Sequence, residues 1–306
     1  MSPAHHWCLQ GVSMSVCSSL CRVVLPATFI FFNFAFEVTA QVEPDPQSIA
    51  LVHKPTFYNA QTTSTGVTEL PMGEYEQLVA KDPHDMIATN NLGALYFKDG
   101  RQEEGLDLIK KAADAVPEVW NFQLNASVGY TQMKQFDEAL TYAKRAMTAG
   151  PEVFKVRQQL CEVYLANKMP EAVRCFEEIS SDKRSEPLDL VGYGEALIMI
   201  RNFASAEDVI SRAIQRLPNC AMAHNDLAIV AFHRKQFSDA VRSLREAVRL
   251  DPDNGQIRYN LAIAQMATHN RAGAVSEYGL LKTTDPKLAE RLYKVLFAGQ
   301  VVFAGQ

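Results

Sequence analysis

Between residues 86 and 286, apolar residues recur three and four positions apart, in successive stretches separated by short polar segments. This spacing puts apolar side chains on one face of a helix, so it predicts a long run of amphipathic helices. Small residues recur within the stretches in two series, one for each member of a helix pair. The first series is Gly93, Ser127, Cys161, Gly194, Ala228 and Ala262, and the second is Gly105, Ala139, Ala172, Ala206, Ala240 and Ala274.

Both series have a period of 34 residues with one interval of 33, so one residue is missing between Cys161 and Ala172. A third series keeps the same period, with one double interval of 67, and consists of Pro83, Pro117, Pro151, Pro218, Pro252 and Pro286. Small residues are needed where two helix axes approach closely, and proline ends a helix because its ring lacks the N–H donor. A period of this length predicts six stacked helical hairpins.

Two units show the pattern most clearly, NNLGALYFKDGRQEEGLDLIKKAADAVP and NDLAIVAFHRKQFSDAVRSLREAVRLDP. With these residues the chain resembles the tetratricopeptide repeat family over residues 86 to 286. The resemblance implies an all-α fold, a right-handed α-solenoid of tandem helix-turn-helix repeats. The chain departs from the family pattern in lacking the early Trp of each unit, and it has Gln265 where a large apolar residue is usual.

The predicted organisation follows from the period and from the segments that flank it. We expect a signal peptide over 1–40, a flexible linker over 41–68, an N-terminal capping helix over 69–85, and a C-terminal capping helix with a tail over 287–306. The six repeats between them are predicted at 86–119, 120–153, 154–186, 187–220, 221–254 and 255–288.

The N-terminal segment has the features of an export signal. Arg22 precedes the apolar run Val23–Phe36, and small or compact residues at Val38 and Ala40 follow it. A short apolar core between a positive charge and a small-residue site is typical of a signal peptide. We therefore predict an exported chain, periplasmic or secreted and cleaved after Ala40, with an inner-membrane anchor as the alternative if cleavage does not occur.

Charge and cysteine content limit the classes of function. A formal net charge of −5 argues against a nucleic-acid partner, which requires a basic surface. Three cysteines lie ahead of or just before the apolar run, and the remaining three have no zinc or redox spacing. We expect these three to be small buried residues, although one pair could cross-link in an oxidising compartment: Cys161, Cys175 and Cys220.

No constellation of catalytic or metal-binding residues stands out. Adjacent glutamates such as Glu103 and Glu104 point apart on a helix, and His224 and His233 lack the spacing of metal ligands. The sequence predicts no enzyme activity, no cofactor, no metal and no small-molecule substrate.

The resemblance implies that the first helices of successive units line a concave face. The sixth place of five units is held by a row of polar residues, Asn91, Asn125, Gln159, Asp226 and Asn260. This row resembles the asparagine ladder with which some members of the family hold a peptide backbone, since a carboxamide both donates and accepts. Alternatively, the row serves only local contacts between helices. The predicted protein- or peptide-binding residues are Asn90, Asn91, Asn125, Gln159, Met222, Asn225, Asp226, Ile229, Phe232, Tyr259, Asn260, Ile263 and Met266.

Several of the C-terminal members of this set are apolar, so the sequence predicts an apolar or amphipathic partner, with Phe232 and Tyr259 as its anchors. The predicted function is an exported scaffold or adaptor that binds a partner protein along the concave face, in cell-envelope assembly. The alternatives are a regulatory or substrate-presenting subunit of an enzyme complex with catalysis on another chain, and a structural spacer or self-assembling solenoid.

Overall fold

The structure, a computed structural model, describes residues 70–297. Within this range the chain forms fourteen α-helices and no β-strand, which confirms the all-α repeat solenoid expected from the period. The helices are α1 Met72–Lys81, α2 Met86–Lys98, α3 Gln102–Ala115, α4 Trp120–Gln132, α5 Phe136–Ala149, α6 Phe154–Ala166, α7 Glu171–Ser180, α8 Pro187–Met199, α9 Phe203–Arg216, α10 Ala221–His233, α11 Phe237–Leu250, α12 Gly255–Ala267, α13 Arg271–Thr284 and α14 Pro286–Phe297.

The twelve helices from α2 to α13 form six consecutive pairs, and each pair is joined by the same left-handed turn. In the first turn, Gly100 has φ 91°, its N–H bonds to the carbonyl of Phe97, and the N–H of Arg101 bonds to the carbonyl of Tyr96. These two hydrogen bonds engage two of the backbone carbonyl groups that a helix leaves free at its C-terminus. The other five turns repeat the positive φ at Lys134, Lys168, Arg201, Lys235 and His269.

These turns locate the missing residue more closely than the sequence alone. The interval from Lys168 to Arg201 is 33 residues, whereas the other four intervals between left-handed residues are 34. Ala172 is 33 residues after Ala139, so it lies beyond the deletion, whereas Lys168 is 34 residues after Lys134 and lies before it. The deletion therefore falls between Lys168 and Ala172. The third pair is unusual in a second way, since α7 has 10 residues where the other five second helices have 14.

The small residues of the two series lie where the helices of a pair cross. A methyl group built on Gly93 would lie 2.7 Å from the Gly105 carbonyl oxygen, and one built on Gly105 would lie 2.5 Å from the Gly93 carbonyl oxygen. Any side chain at either place would push the backbones apart. In the following pairs the matching residues of the second helix, such as Ala139 and Ala274, have no solvent exposure.

The two helices of each pair have different environments. First helices are buried around most of their circumference, as in α4, where every residue from 121 to 130 is buried. Second helices keep a polar outer face. First helices also contact the next first helix, at α2–α4, α4–α6, α6–α8, α8–α10 and α12–α14. We infer that the stack curves with the first helices on the inside, because elements on the inside of a curve lie closer together.

A disulfide joins the two helices of the third pair. Cys161 of α6 and Cys175 of α7 are bonded, with Cα atoms 5.3 Å apart. Of the two possibilities that the sequence left open, the structure has the one in which a pair of cysteines is cross-linked. Repeat geometry explains the pairing, since Cys161 holds the small-residue position that faces the second helix. Cys220 is free and half-buried, and burial raises the pKa of its thiol.

One further helix packs at each end of the six pairs. At the N-terminal end α1 buries Tyr75 against α2, and at the C-terminal end α14 buries Leu288, Leu292 and Leu296. The signal peptide, the linker and the tail beyond Phe297 that the sequence predicts lie outside the described residues. Among the helices described, none is long and apolar enough to span a membrane.

Candidate protein-interaction surface

All buried polar side chains of the described residues belong to first helices. They are Thr89, Asn90, Asn91, Asn121, Gln123, Asn125, Ser127, Gln158, Asp189, Glu195, Asn225, Asp226, Asn260 and Gln265. A buried polar group is costly unless it is hydrogen-bonded, so the partners of these side chains decide what the row does.

At the N-terminal end the row connects neighbouring units. The Asn91 amide donates to the Tyr75 hydroxyl over 3.3 Å, which links α2 to α1. The Asn125 amide donates to Asn90 Oδ1 over 3.0 Å, which links α4 to α2. The Gln159 amide donates to Ser127 Oγ over 3.2 Å, which links α6 to α4.

Two of the three C-terminal junctions are connected in the same way. The Gln158 amide donates to Asp189 Oδ1 over 2.7 Å between α6 and α8. Glu195 of α8 and Asp226 of α10 are both buried and lie close enough for each to affect the pKa of the other. The Asn260 amide of α12 donates to Asn225 Oδ1 of α10 over 2.9 Å. Four of the five junctions between successive first helices, from α2 to α12, therefore have a hydrogen bond between side chains that crosses them. At the fifth, between α8 and α10, two buried carboxyl groups meet.

Two carboxyl groups meet in the middle of this network. Burial, then the charge of Asp226, then that of Glu162, raise the pKa of Glu195 well above its usual range. Burial raises the pKa of Asp226 to about 7, against the hydrogen bonds from Asn225 and Glu195 that lower it. A shared proton satisfies both observations: Glu195 holds it and donates to the Asp226 carboxylate.

Most of the predicted binding residues have little exposure to solvent. Eleven of the thirteen predicted side chains are buried, so they do not form an open lining. They are Asn90, Asn91, Asn125, Met222, Asn225, Asp226, Ile229, Phe232, Tyr259, Asn260 and Ile263. Only Gln159 and Met266 are half-buried, and a role for these two in binding stays a prediction.

The two expected anchors show why the surface is closed. Phe232 contacts Phe237 of the same pair edge-on, with ring centroids 5.1 Å apart. Tyr259 is covered from outside by α14, with the Arg291 guanidinium 5.0 Å from its ring centroid. Both side chains belong to the large C-terminal core cluster. Each side chain thus has contacts inside the chain, and the role of Phe232 and Tyr259 as anchors for a partner stays a prediction.

Open clefts occur instead at the second helices, on the outer side of the stack. The larger cleft, which we call the α11 cleft, has a volume of about 1000 Å³. It is lined by Ile214, His224, Leu227, Ser238, Val241, Arg242, Ser243, Arg245, Glu246 and Arg249. Asp239 pairs with Arg242 and Glu246 with Arg249, whereas Arg245 has no ion pair within residues 70–297.

The α11 cleft was not predicted from the sequence, because all the predicted binding residues lie on first helices. The signal was present, since Arg242, Arg245 and Arg249 are three and four residues apart and therefore share one helix face. A smaller cleft of about 660 Å³ lies beside the short helix α7 and includes Tyr193, Asp208 and Arg212. Within residues 70–297 no group of three or more His, Cys, Asp or Glu is arranged to hold a metal ion.

The stacked helix pairs define the chain as an α-helical repeat solenoid, and comparison with known proteins identifies the type of repeat. Two tetratricopeptide repeat models match the sequence, one over residues 73–119 and 194–254 and the other over residues 231–296. The chain belongs to the tetratricopeptide repeat family.

Curated relatives are distant and longer. A BBSome complex member BBS4 homolog of Drosophila melanogaster is 24% identical over 215 residues, which cover 66% of this chain and 43% of the relative. The peroxisomal targeting signal receptor of Saccharomyces cerevisiae is 24% identical over 284 residues, which cover 86% of this chain and 41% of the relative. The chain spans less than half the length of these relatives.

Solved structures share the fold at low identity. A tetratricopeptide repeat protein from Parabacteroides merdae has a TM-score of 0.64 at 14% identity, covering 74% of this chain and 91% of its own. PilW, a type IV pilus biogenesis factor, has a TM-score of 0.59 at 16% identity, covering 66% of this chain and 94% of its own. These similarities concern the fold alone.

Proposed function

We propose that this chain is an exported scaffold that binds a partner protein through the α11 cleft. The observation that carries the proposal is the composition of that cleft. Apolar side chains at Ile214, Leu227 and Val241 lie beside arginines, of which Arg245 has no ion pair within the described residues. Apolar area supplies binding free energy and an unpaired guanidinium supplies specificity for a carboxylate. The partner segment is therefore amphipathic, with apolar and acidic residues.

The disulfide supports export. Disulfides form and persist in oxidising compartments, such as a periplasm or the extracellular space, and are rare in the cytosol. The bond between Cys161 and Cys175 fits the signal-like segment 1–40, with its apolar run and small-residue site ending at Ala40. A role in assembly of the cell envelope is the form of this proposal that the solved pilus biogenesis factor favours by fold.

The test is affinity capture from an extract of the native cells with the full chain, followed by cross-linking and mass spectrometry. We expect the captured partner to cross-link to residues 214–249. Arg245→Glu should weaken capture at least tenfold, because it places a carboxylate against the acidic segment. Arg174→Glu is the matched control, since Arg174 lies on the outer face of α7 and is 83% exposed. Equal capture by the Arg245→Glu and Arg174→Glu variants would exclude the α11 cleft.

Export is tested separately by fractionating cells and sequencing the N-terminus of the recovered protein. We expect Gln41 to be the first residue. A chain recovered from the cytosol with its first 40 residues attached would overturn export but would not affect the proposal that the α11 cleft binds a partner.

The second candidate is a regulatory or substrate-presenting subunit of an enzyme complex. The same captured complex distinguishes the two, because only this candidate predicts an enzyme activity that changes when the Arg245→Glu variant releases its partner.

A further inference from the structure

The two ends of the solenoid are half-units of opposite kind. Helix α1 ends at Lys81, two residues before Pro83, and so has the place of a second helix in the proline series. It contacts α2 as each second helix contacts the next first helix. Helix α14 contacts both α12 and α13, as a first helix contacts the preceding pair. Within residues 70–297, the N-terminal end therefore has no first helix paired with α1, and the C-terminal end has no second helix paired with α14.

At each end, one side chain is exposed to solvent although the equivalent side chains of the six complete pairs are buried. Leu78 of α1 is 38% exposed. The side chains at the same position of the six second helices are at most 1% exposed, and they are Ala112, Ala146, Ile179, Ala213, Ala247 and Leu281. Within the described residues no first helix packs against this position of α1, which is consistent with the exposure of Leu78.

The same contrast holds for Tyr293 of α14, which is 47% exposed. The side chains at its position in the six first helices are at most 6% exposed, and they are Asn90, Leu124, Gln158, Val191, Asn225 and Tyr259. At Asn90 the covering group is Asn125 of the next first helix. Tyr293 has no such helix after it within the described residues.

Tyr293 belongs to a cluster of three aromatic rings. Its ring lies 4.8 Å from that of Phe297 and 6.0 Å from that of Tyr278 on α13, as measured between centroids. Val275 and Leu280 of α13 are exposed as well. At the other end Leu78 is accompanied by Ile87 of α2, which is also exposed. Residues 70–297 have six exposed large apolar side chains, and four of them lie on α1, α13 or α14.

Charge distinguishes the possible arrangements of two copies. Residues 72–85 contain four acidic residues and one basic residue, whereas residues 286–297 contain three basic residues and one acidic residue. Opposite ends attract and like ends repel, so a head-to-tail contact is favoured over a symmetric one.

From these observations we propose that the chain binds a second copy of itself head to tail. Helix α1 of one copy packs beside α14 of another and completes a seventh helix pair, while α2 of the first copy covers Tyr293. The contact joins two different surfaces, so every added copy again presents one free end of each kind, and the solenoid continues from molecule to molecule. This contact is separate from the α11 cleft.

The test is the molar mass of the full chain by light scattering and sedimentation over a concentration series. We expect the mass of the wild-type chain to rise beyond that of a dimer, and to fall when salt screens the end charges. Leu78→Asp and Tyr293→Asp should each remain monomeric, because each destroys one end. Ile200→Asp is the matched control, since Ile200 is equally exposed but lies between the ends, and it should assemble as the wild type does.

Mixing the two end variants gives the sharpest result. The Leu78→Asp chain keeps an intact α14 end, and the Tyr293→Asp chain keeps an intact α1 end. An equimolar mixture therefore has one competent contact and should give a heterodimer of twice the monomer mass and nothing larger. Circular dichroism confirms that both variants fold. A monomeric wild type at the highest soluble concentration, a monomeric mixture, or loss of assembly in the Ile200→Asp variant would each overturn the proposal.

Discussion

Asn125 donates its side-chain amide to Asn90 across the junction of the first two units, and both side chains are fully buried. Thirty-five residues also separate Asn260 from Asn225, which form the same bond across the junction of the last two units. Carboxamides that the sequence assigned to a peptide ligand thus hold the solenoid together. These two bonds join neighbouring units, whereas a contact of the row with a partner stays a prediction.

The first prediction concerns this bond. Asn125→Ala leaves Asn90 Oδ1 buried without its cross-junction donor, so the free energy of unfolding should fall by about 1–3 kcal/mol. Urea unfolding followed by circular dichroism measures the change. The control is Asn167→Ala, which removes an exposed hydrogen bond to Asp137 and should change stability by less than about 0.5 kcal/mol. Equal effects of the two changes would mean that the buried row contributes no more than surface bonds.

A second prediction follows from the shared proton of Glu195 and Asp226. The pKa of both groups is raised in the folded chain, so the folded state retains protons that the unfolded chain releases above about pH 4. The stability that these two protonated groups contribute is therefore greatest below that pH. It falls as the pH rises toward the folded pKa of Asp226, about 7.

Glu195→Gln should remove much of this pH dependence, because the amide still donates to Asp226 but cannot ionise. We expect the variant to exceed the wild type by roughly 1–3 kcal/mol at pH 8, with the difference shrinking toward pH 4. Glu290→Gln, at an exposed position of α14, is the control. Parallel stability curves for the wild type and the Glu195→Gln variant would contradict the shared proton.

Removal of the disulfide is the third test. Cys161 and Cys175 are 14 residues apart, and closing a loop of that size stabilises a fold by about 3 kcal/mol in the chain-entropy model. Cys161→Ala with Cys175→Ala should lower the free energy of unfolding by about that amount, and reduction of the wild type should have a similar effect. Cys220→Ala, which removes the free thiol, is the control and should leave the effect of reduction intact. If reduction leaves the urea midpoint of the wild type unchanged, the bond does not form in solution.

The fourth prediction compares neighbours on α14. Leu292 has no solvent exposure, so Leu292→Ala should cost about 2–5 kcal/mol and lower the melting temperature by several degrees. Tyr293→Ala, one residue further, removes a half-exposed ring and should have a much smaller effect on a monomer at low concentration. Similar melting curves for both variants would show that α14 is not docked.

The period carried most of the fold. Three residue classes with one common interval predicted six pairs and the missing residue, because crossing helices demand small side chains at fixed places and proline cannot continue a helix. The disulfide was accessible in principle, since Cys161 faces the second helix of its own pair. Its spacing of 14 residues matches no familiar motif, so only the helix pairing brings the two sulfurs together.

The binding surface could not be predicted in the same way. A period shows which residues share a position, but not how closely consecutive first helices approach one another. That approach decides whether Asn125 meets a ligand or meets Asn90. The interval of 35 between Asn90 and Asn125, repeated at Asn225 and Asn260, is a signal of mutual pairing that sequence alone could have supplied.

The short helix α7 makes the third pair different from the other five. It is four residues shorter than the other second helices, about 6 Å at 1.5 Å per residue, so the convex wall has a notch in the third pair. The bond between Cys161 and Cys175 crosses the same pair. The pair with the shortest second helix is therefore the pair whose two helices are joined covalently.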